Sequence, residues 1–239
     1  TRCYRDWSSD VCSSDLRDPD MSFYADRAEG LPTIRGDAEE VLKLKPDLVL
    51  AGSFTRSATR AQLAAQSIRI VTFSPARSIE DVKKHIREVA SLVGQETRGD
   101  TLVAEIDAAF ANLRPSSRPL RALQLQRRAF AAGTDTLIHD IMQRLGIVNA
   151  ATDLGIRYVG RTSLEAVLKA KPDVLILDSA DPGAVDQGVA LLSHPALEEL
   201  VPRHRRIVIP SSQIVCASPG IALAARTLRD AAERILDEK

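Results

Sequence analysis

The stretch AEEVLKLKPDLVL, Ala38 to Leu50, returns later in the chain as LEAVLKAKPDVLI, Leu164 to Ile176. Glu39, Val41, Leu42, Lys43, Lys45, Pro46 and Asp47 of the first copy stand opposite Glu165, Val167, Leu168, Lys169, Lys171, Pro172 and Asp173 of the second. A unit that occurs twice points to two similar lobes. Asp37 and Ser163 are placed to cap a short helix, and the acidic residues just inside it suit the positive end of the helix dipole. The helix must stop before Pro46 or Pro172, because proline disfavours helical backbone in the residue ahead of it. The apolar runs Leu48 to Leu50 and Val174 to Leu177 then read as strands buried on both faces, as in a parallel sheet.

Outward from each copy, helices and strands alternate. In the first half, Ala58 to Gln66 reads as a helix and the β-branched run Ile68 to Phe73 as the next strand. In the second half, Ala122 to Leu125 and Arg206 to Ile209 read as strands, while Thr136 to Leu145 and Ile221 to Leu236 read as helices. Such alternation predicts α/β architecture: two doubly wound lobes with parallel sheets and right-handed crossovers. Between them, Ser78 to Asp81 has the form of a capping box opening a helix that ends near Gly94. Leu102, Val103, Ile106, Ala109, Phe110 and Leu113 mark one face of a second helix, long enough to join both lobes, closed by Pro115 and Pro119. The expected organisation is a leader over 1–16, a first lobe over 17–95, a connecting helix and linker over 96–118, and a second lobe over 119–239.

The leader is set apart by its content. Arg5 to Leu16, RDWSSDVCSSDL, reads like the translation of a short-read sequencing adapter, and its Ser/Asp run carries no helix or strand period. With Cys3, Cys12 and Trp7 set aside, Cys216 is the one cysteine left, too few for a disulfide framework or a zinc site.

Composition narrows the function classes. The chain of 239 residues carries 32 basic and 32 acidic residues, so no global positive field draws it to nucleic acid. No run approaches the roughly 18 apolar residues of a membrane span. The phosphate-loop, dinucleotide-binding, nucleophile-elbow and zinc-protease signatures are missing. The histidines, His85, His139, His194 and His204, have no helical ligand pairing. His85 and His204 read as surface residues, and His139 as exposed or satisfied. No metal site, no catalytic residue and no cofactor of the protein's own is expected.

From about Asp18 onward the chain resembles the periplasmic binding proteins of the iron-siderophore, haem and vitamin B12 class of ABC importers. The resemblance rests on EEVLKLKPDLVLAGS with the following helix and IRIVTF, on AAGTDTLIHDIMQRLGIVNAA, on SLEAVLKAKPDVLIL, and on CASPGIALAARTL near the C-terminus. It implies capture of a metal chelate between two lobes and delivery to transmembrane permease subunits, with no reaction catalysed. It also implies a monomer, free in the periplasm or lipid-anchored, whose signal sequence and first strand are not carried here. The first lobe is therefore expected to be incomplete, with an unpaired sheet edge and weak ligand binding. By residue matching, the permease-docking glutamates fall on Glu39 and Glu165, which also occupy equivalent places in the repeat.

Ligands of open parallel sheets bind beyond the strand C-termini. That rule selects Gly52, Ser53, Phe54 and Arg56 after the first repeat, with Thr33 and Arg35 ahead of it. In the second lobe it selects Arg127, Arg128 and Phe130, then Arg157, Tyr158 and Arg161, then Gln213 and Ile214. Guanidinium groups suit carboxylate or catecholate oxygens, and the aromatic rings suit an apolar macrocycle. Thr33, Gly52 and Val159 stand where corrinoid-binding members of the class carry tryptophan, which keeps haem and ferric siderophores open beside vitamin B12. Two other readings share the fold: a Zn²⁺ or Mn²⁺ binding transport protein, which would need clustered His and carboxylate ligands, and a solute-sensing domain.

Overall fold

A computed structural model describes residues 8–9, 12–13, 18–32, 34, 36–126, 129–178, 191–215 and 217–237. In the segment expected to lack structure, β1 (Ser8–Ser9) and β2 (Cys12–Ser13) form a short antiparallel ladder. A ladder of two residues a side needs no hydrophobic period.

The repeat folds as read. Helix α1 (Ala38–Lys43) leads into β3 (Leu48–Gly52), and α6 (Leu164–Ala170) leads into β9 (Val174–Leu177). The duplication extends to the backbone. Lys45 and Lys171, each directly before the proline, have left-handed φ of 47° and 45°. Both helices thus turn into their strands through a conformation that L-residues other than Asn and Asp seldom adopt. Capping differs between the copies. The Ser163 hydroxyl accepts from the Ala166 amide at 3.2 Å, whereas Asp37 makes no side-chain cap bond. The Asp37 carboxylate instead meets Arg56 at 3.5 Å.

In the first half, β3 pairs in parallel with β4 (Arg69–Phe73), and α2 (Ser57–Ala65) makes the crossover. Alternation along β3 decides which layer each residue joins. Val49 faces Ala38, Val41 and Leu63 of α1 and α2. Leu48 and Leu50 face the opposite way, with Phe73, onto Val89, Leu92 and Val93. Those last residues belong to or directly follow α3 (Ile79–Leu92), whose other end carries Val82 into the core of the second half. Helix α3 thus reaches both cores. Its start has the expected capping box: the Ser78 hydroxyl accepts from Asp81 N–H at 3.0 Å, and the Asp81 carboxylate accepts from Ser78 N–H at 3.1 Å. Helix α4 (Glu96–Ala111) runs along α3. The two approach so closely at one crossing that a Cβ on Gly99 would lie 2.4 Å from that of Ala90. Lys83, mostly covered, ties the pair through Asp107 at 2.8 Å and also meets Glu80 on its own helix. These two carboxylates raise the Lys83 pKa above the ordinary lysine value.

Among the described residues, the second half holds a six-stranded sheet. Strands β10 (Arg206–Val208), β9, β5 (Leu120–Gln126) and β7 (Ile147–Asn149) run in parallel. Beyond them the sheet departs from the all-parallel expectation. β6 (Phe130–Ala132) pairs antiparallel with the end of β5, and β8 (Val159–Arg161) pairs antiparallel with β6. The short return after Gln126 permits only an antiparallel neighbour, since a parallel one needs a long crossover. Helices α5 (Leu137–Arg144) and α9 (Gly220–Asp237) pack on one face with Ile106 and Phe110 of α4. Helix α6, α7 (Pro195–Leu200) and a 3-10 turn over Ala150–Leu154 cover the other. Buried Asn149 joins β7 to β6 by donating to the Ala132 and Gly133 carbonyls at 3.2 and 3.3 Å. A last short helix, α8 (Ser211–Ile214), follows β10.

His85 corrects its surface reading. It lies on α3 against Phe73, ring centroids 5.2 Å apart, and burial lowers its pKa below the ordinary histidine value. His139 is corrected as well: its Nδ1 is buried without a hydrogen-bond partner.

Two outcomes are expected. Lys45→Gly and Lys171→Gly each relieve the left-handed strain and stabilise the fold by about 0.5–1 kcal/mol, read as a higher urea midpoint; an unchanged or lower midpoint would contradict the strain. Because His85 is held neutral, its stabilising contribution is complete above about pH 6.5 and is lost as pH falls through its depressed folded pKa. The thermal midpoint should therefore drop more between pH 7 and pH 5 in the wild type than in His85→Leu. Parallel pH curves for the two proteins would dismiss that role.

Candidate functional site

The helix–turn–strand unit fixes where its own ends lie. The chain reverses at Pro46, so the start of α1 returns to the finish of β3, and the Arg56–Asp37 ion pair closes that gap. In the second copy, Thr162 N–H donates to the Ala129 carbonyl at 2.8 Å, which sets the start of α6 beside the finish of β5. Glu39 and Glu165 therefore stand at the strand C-terminal ends of their own sheets, and both are exposed. The Glu165 carboxylate accepts from its own N–H and from the Ser163 hydroxyl, which together lower its pKa.

The same ends carry most of the residues selected from the sequence. Ser53 and Phe54 follow β3; Ser53 N–H donates to the Phe73 carbonyl at 2.8 Å, and Phe54 is half exposed. Arg56 begins the approach to α2 and is engaged with Asp37. In the second half, Phe130 and Arg161 meet across the β6–β8 pair, guanidinium carbon 5.8 Å from the ring centroid. Gln213 lies on α8 with its Oε1 buried and unpaired, beside Ile214, which packs toward the core. Val159 and Val215 add exposed apolar surface. Thr33, Arg35, Arg127, Arg128 and Cys216 lie outside the described residues.

Tyr158 is the best-defined member of the set. Two loops are laced together beneath it: Gly133 N–H donates to the Tyr158 carbonyl at 2.5 Å, and Asp135 N–H donates to the Arg157 carbonyl at 2.5 Å. Gly133 is required for that approach, because a Cβ there would stand 2.2 Å from the Ile156 carbonyl oxygen. The Arg157 guanidinium closes the lacing with an ion pair to Asp135 at 3.1 Å. A residue that sequence reasoning passed over joins them. Arg77, in the link between β4 and α3, places its guanidinium carbon 5.3 Å from the Tyr158 ring centroid and its Nη1 3.8 Å from Asp135. Its signal was its position: like Arg56, it follows the C-terminal end of a parallel strand.

Among the described residues, no group of three or more His, Cys, Asp or Glu is arranged to hold a metal ion, and no helix is long and apolar enough to cross a membrane. What the strand ends offer is exposed aromatic and aliphatic surface interleaved with guanidinium groups. Aromatic faces suit the flat surface of a planar or macrocyclic solute, and guanidinium groups suit anionic oxygens.

Two covered, mainly parallel sheets and a duplicated helix–strand unit define an α/β fold of two similar halves. Residues 13–203 match the family model described as periplasmic binding protein, and the chain belongs to that family, whose members are non-enzymatic components of transport. It is 25% identical over 162 residues to an uncharacterized ABC transporter substrate-binding lipoprotein, YvrC, of Bacillus subtilis, covering 63% of this chain and 51% of that one. It is 29% identical over 147 residues to a cobalamin-binding protein of Halobacterium salinarum, covering 59% of this chain and 40% of that one. The aligned parts thus span about half or less of these curated relatives. Among solved structures, it superposes on the apo form of the periplasmic heme-binding protein RhuT from Roseiflexus sp. RS-1 with a TM-score of 0.68 and 26% identity, covering 88% of this chain and 87% of that one.

Proposed function

We propose that the chain is the substrate-binding component of an ABC importer, with lobes over 17–95 and 119–239, and that its cargo is a metal chelate: haem, a corrinoid or a ferric siderophore. The observation that carries this reading is the pairing of exposed apolar side chains with arginines in both halves. Phe54 and Arg56 supply it beyond the C-terminal end of β3; Arg157, Tyr158 and Val159, at the entry to β8, with Arg161 at its end, supply it in the second. The cobalamin-binding and heme-binding relatives support the cargo class, and the lipoprotein relative supports a place outside the cytoplasmic membrane, free or lipid-anchored. Thr33, Arg127 and Arg128 complete the proposed ligand set.

Glu39 and Glu165 are the proposed permease contacts. Both are exposed, both stand at the strand-end rim, and the repeat makes them equivalent. Charges so placed set orientation and association rate in a transient complex.

Cargo is tested by titrating the protein with haemin, cyanocobalamin, a ferric hydroxamate and a ferric catecholate, with Zn²⁺ alongside, by calorimetry. Saturable one-to-one binding of a chelate, however weak, is the expected result. A Zn²⁺ isotherm with no chelate binding would replace this reading with that of a metal-ion carrier. The Glu39→Arg/Glu165→Arg double variant should bind the chelate with unchanged affinity and lose transport in a reconstituted importer. Loss of affinity in that variant would instead make the glutamates part of the ligand site or the fold.

A further inference from the structure

The cluster around Tyr158 contains one side chain whose position is better suited to leaving than to staying. Arg77 is fixed at its main chain: its N–H donates to the Asp81 carboxylate at 2.9 Å, and Ile79 N–H two residues on donates to the Asp140 carboxylate at 2.7 Å, across the halves. Its side chain is held far less firmly. The guanidinium touches Asp135 at 3.8 Å and lies over the Tyr158 ring at 5.3 Å, with 56% of the side chain exposed. Exposed contacts of both kinds are weak.

Release of Arg77 also leaves nothing stranded. Asp135 keeps its closer partner, Arg157 at 3.1 Å, and Arg77 turns back into water still charged and solvated. The release uncovers the ring of Tyr158, a residue that is 40% exposed even with the guanidinium upon it. The loop presenting that face is joined to the Gly133–Asp135 loop by three backbone hydrogen bonds that do not involve Arg77.

We propose that Arg77 is a displaceable cover on the Tyr158 side of the ligand site: it occupies the ring in the empty protein, and a chelate must push it aside to bind. This rests on the chelate-binding reading given above. The cover lowers apparent affinity for every chelate that uses Tyr158, so the identity of residue 77 sets how readily the site is entered. An arginine that served as a ligand contact would act in the opposite direction.

The sign of the effect is therefore the test. Haemin, cyanocobalamin and a ferric hydroxamate are titrated into wild type, Arg77→Gln, Tyr158→Ala and the double variant, with far-UV circular dichroism and thermal midpoints confirming that each is folded. Arg77→Gln should bind the wild-type cargo about threefold to tenfold more tightly, the magnitude of one exposed cation–π contact and one surface ion pair. Tyr158→Ala should bind it more weakly. In the Tyr158→Ala background, Arg77→Gln should give no gain, because nothing is left to uncover. Weaker or unchanged binding by Arg77→Gln, or a gain that survives the loss of Tyr158, would overturn the inference while leaving the chelate-binding reading in place. Failure of wild type to bind any of the three would overturn both.

Discussion

A parallel strand buried on both faces needs a cover on each, and most of this architecture follows from meeting that need twice. In the second half the cover is ample: α5 and α9 on one side of β5 and β9, α6 and α7 on the other. In the first half α1 and α2 cover one face of β3 and β4, and the end of α3 covers the other. Since the start of α3 belongs to the second core, the helix that completes one sheet's burial is also the tie to the other. Close helix pairing at Gly99 and Ala90, with Lys83 bridging to Asp107, makes that tie a double one.

The same demand explains where chemistry collects. Covered faces leave only the strand ends open, and parallel strands bring their C-termini to one edge. Phe54, Arg56, Phe130, Arg161 and Gln213 converge on those edges through the connections that leave β3, β5 and β10. The exposed apolar groups there cost little because each is flanked by charge, so the surface stays wetted without becoming polar throughout. Tyr158 and its neighbours add a second arrangement, in which two loops are joined through their backbones beneath a ring that the Arg77 guanidinium overlies.

The sequence was most legible where one residue type had one physical use. Pro46 and Pro172 end helices, Ser78 and Asp81 open one, and the apolar runs after each proline can only be interior strands. The left-handed turn at Lys45 and Lys171 was not readable, because lysine does not advertise a positive φ as glycine would. The β6–β8 extension escaped notice because Phe130 to Ala132 and Val159 to Arg161 are too short to show alternation. His85 looked like a surface residue on a charged helix until the fold brought Phe73 against it. Of the ligand set, the Phe54 and Tyr158 loops were found by the strand-end rule alone. Arg77 and Asp135 acquire meaning only from a contact between distant parts of the chain.

Helix α3 also has a mechanical meaning. Its 14 residues make a rod of about 20 Å that is anchored in one core and inserted into the other. A rod seated at both ends, and splinted by α4, transmits tilt far better than it bends. A tilt of about 5° moves its far end by only about 2 Å over that length. Any change of angle between the two sheets is therefore small, and it reaches the surface as a change in the spacing of two exposed carboxylates, Glu39 and Glu165.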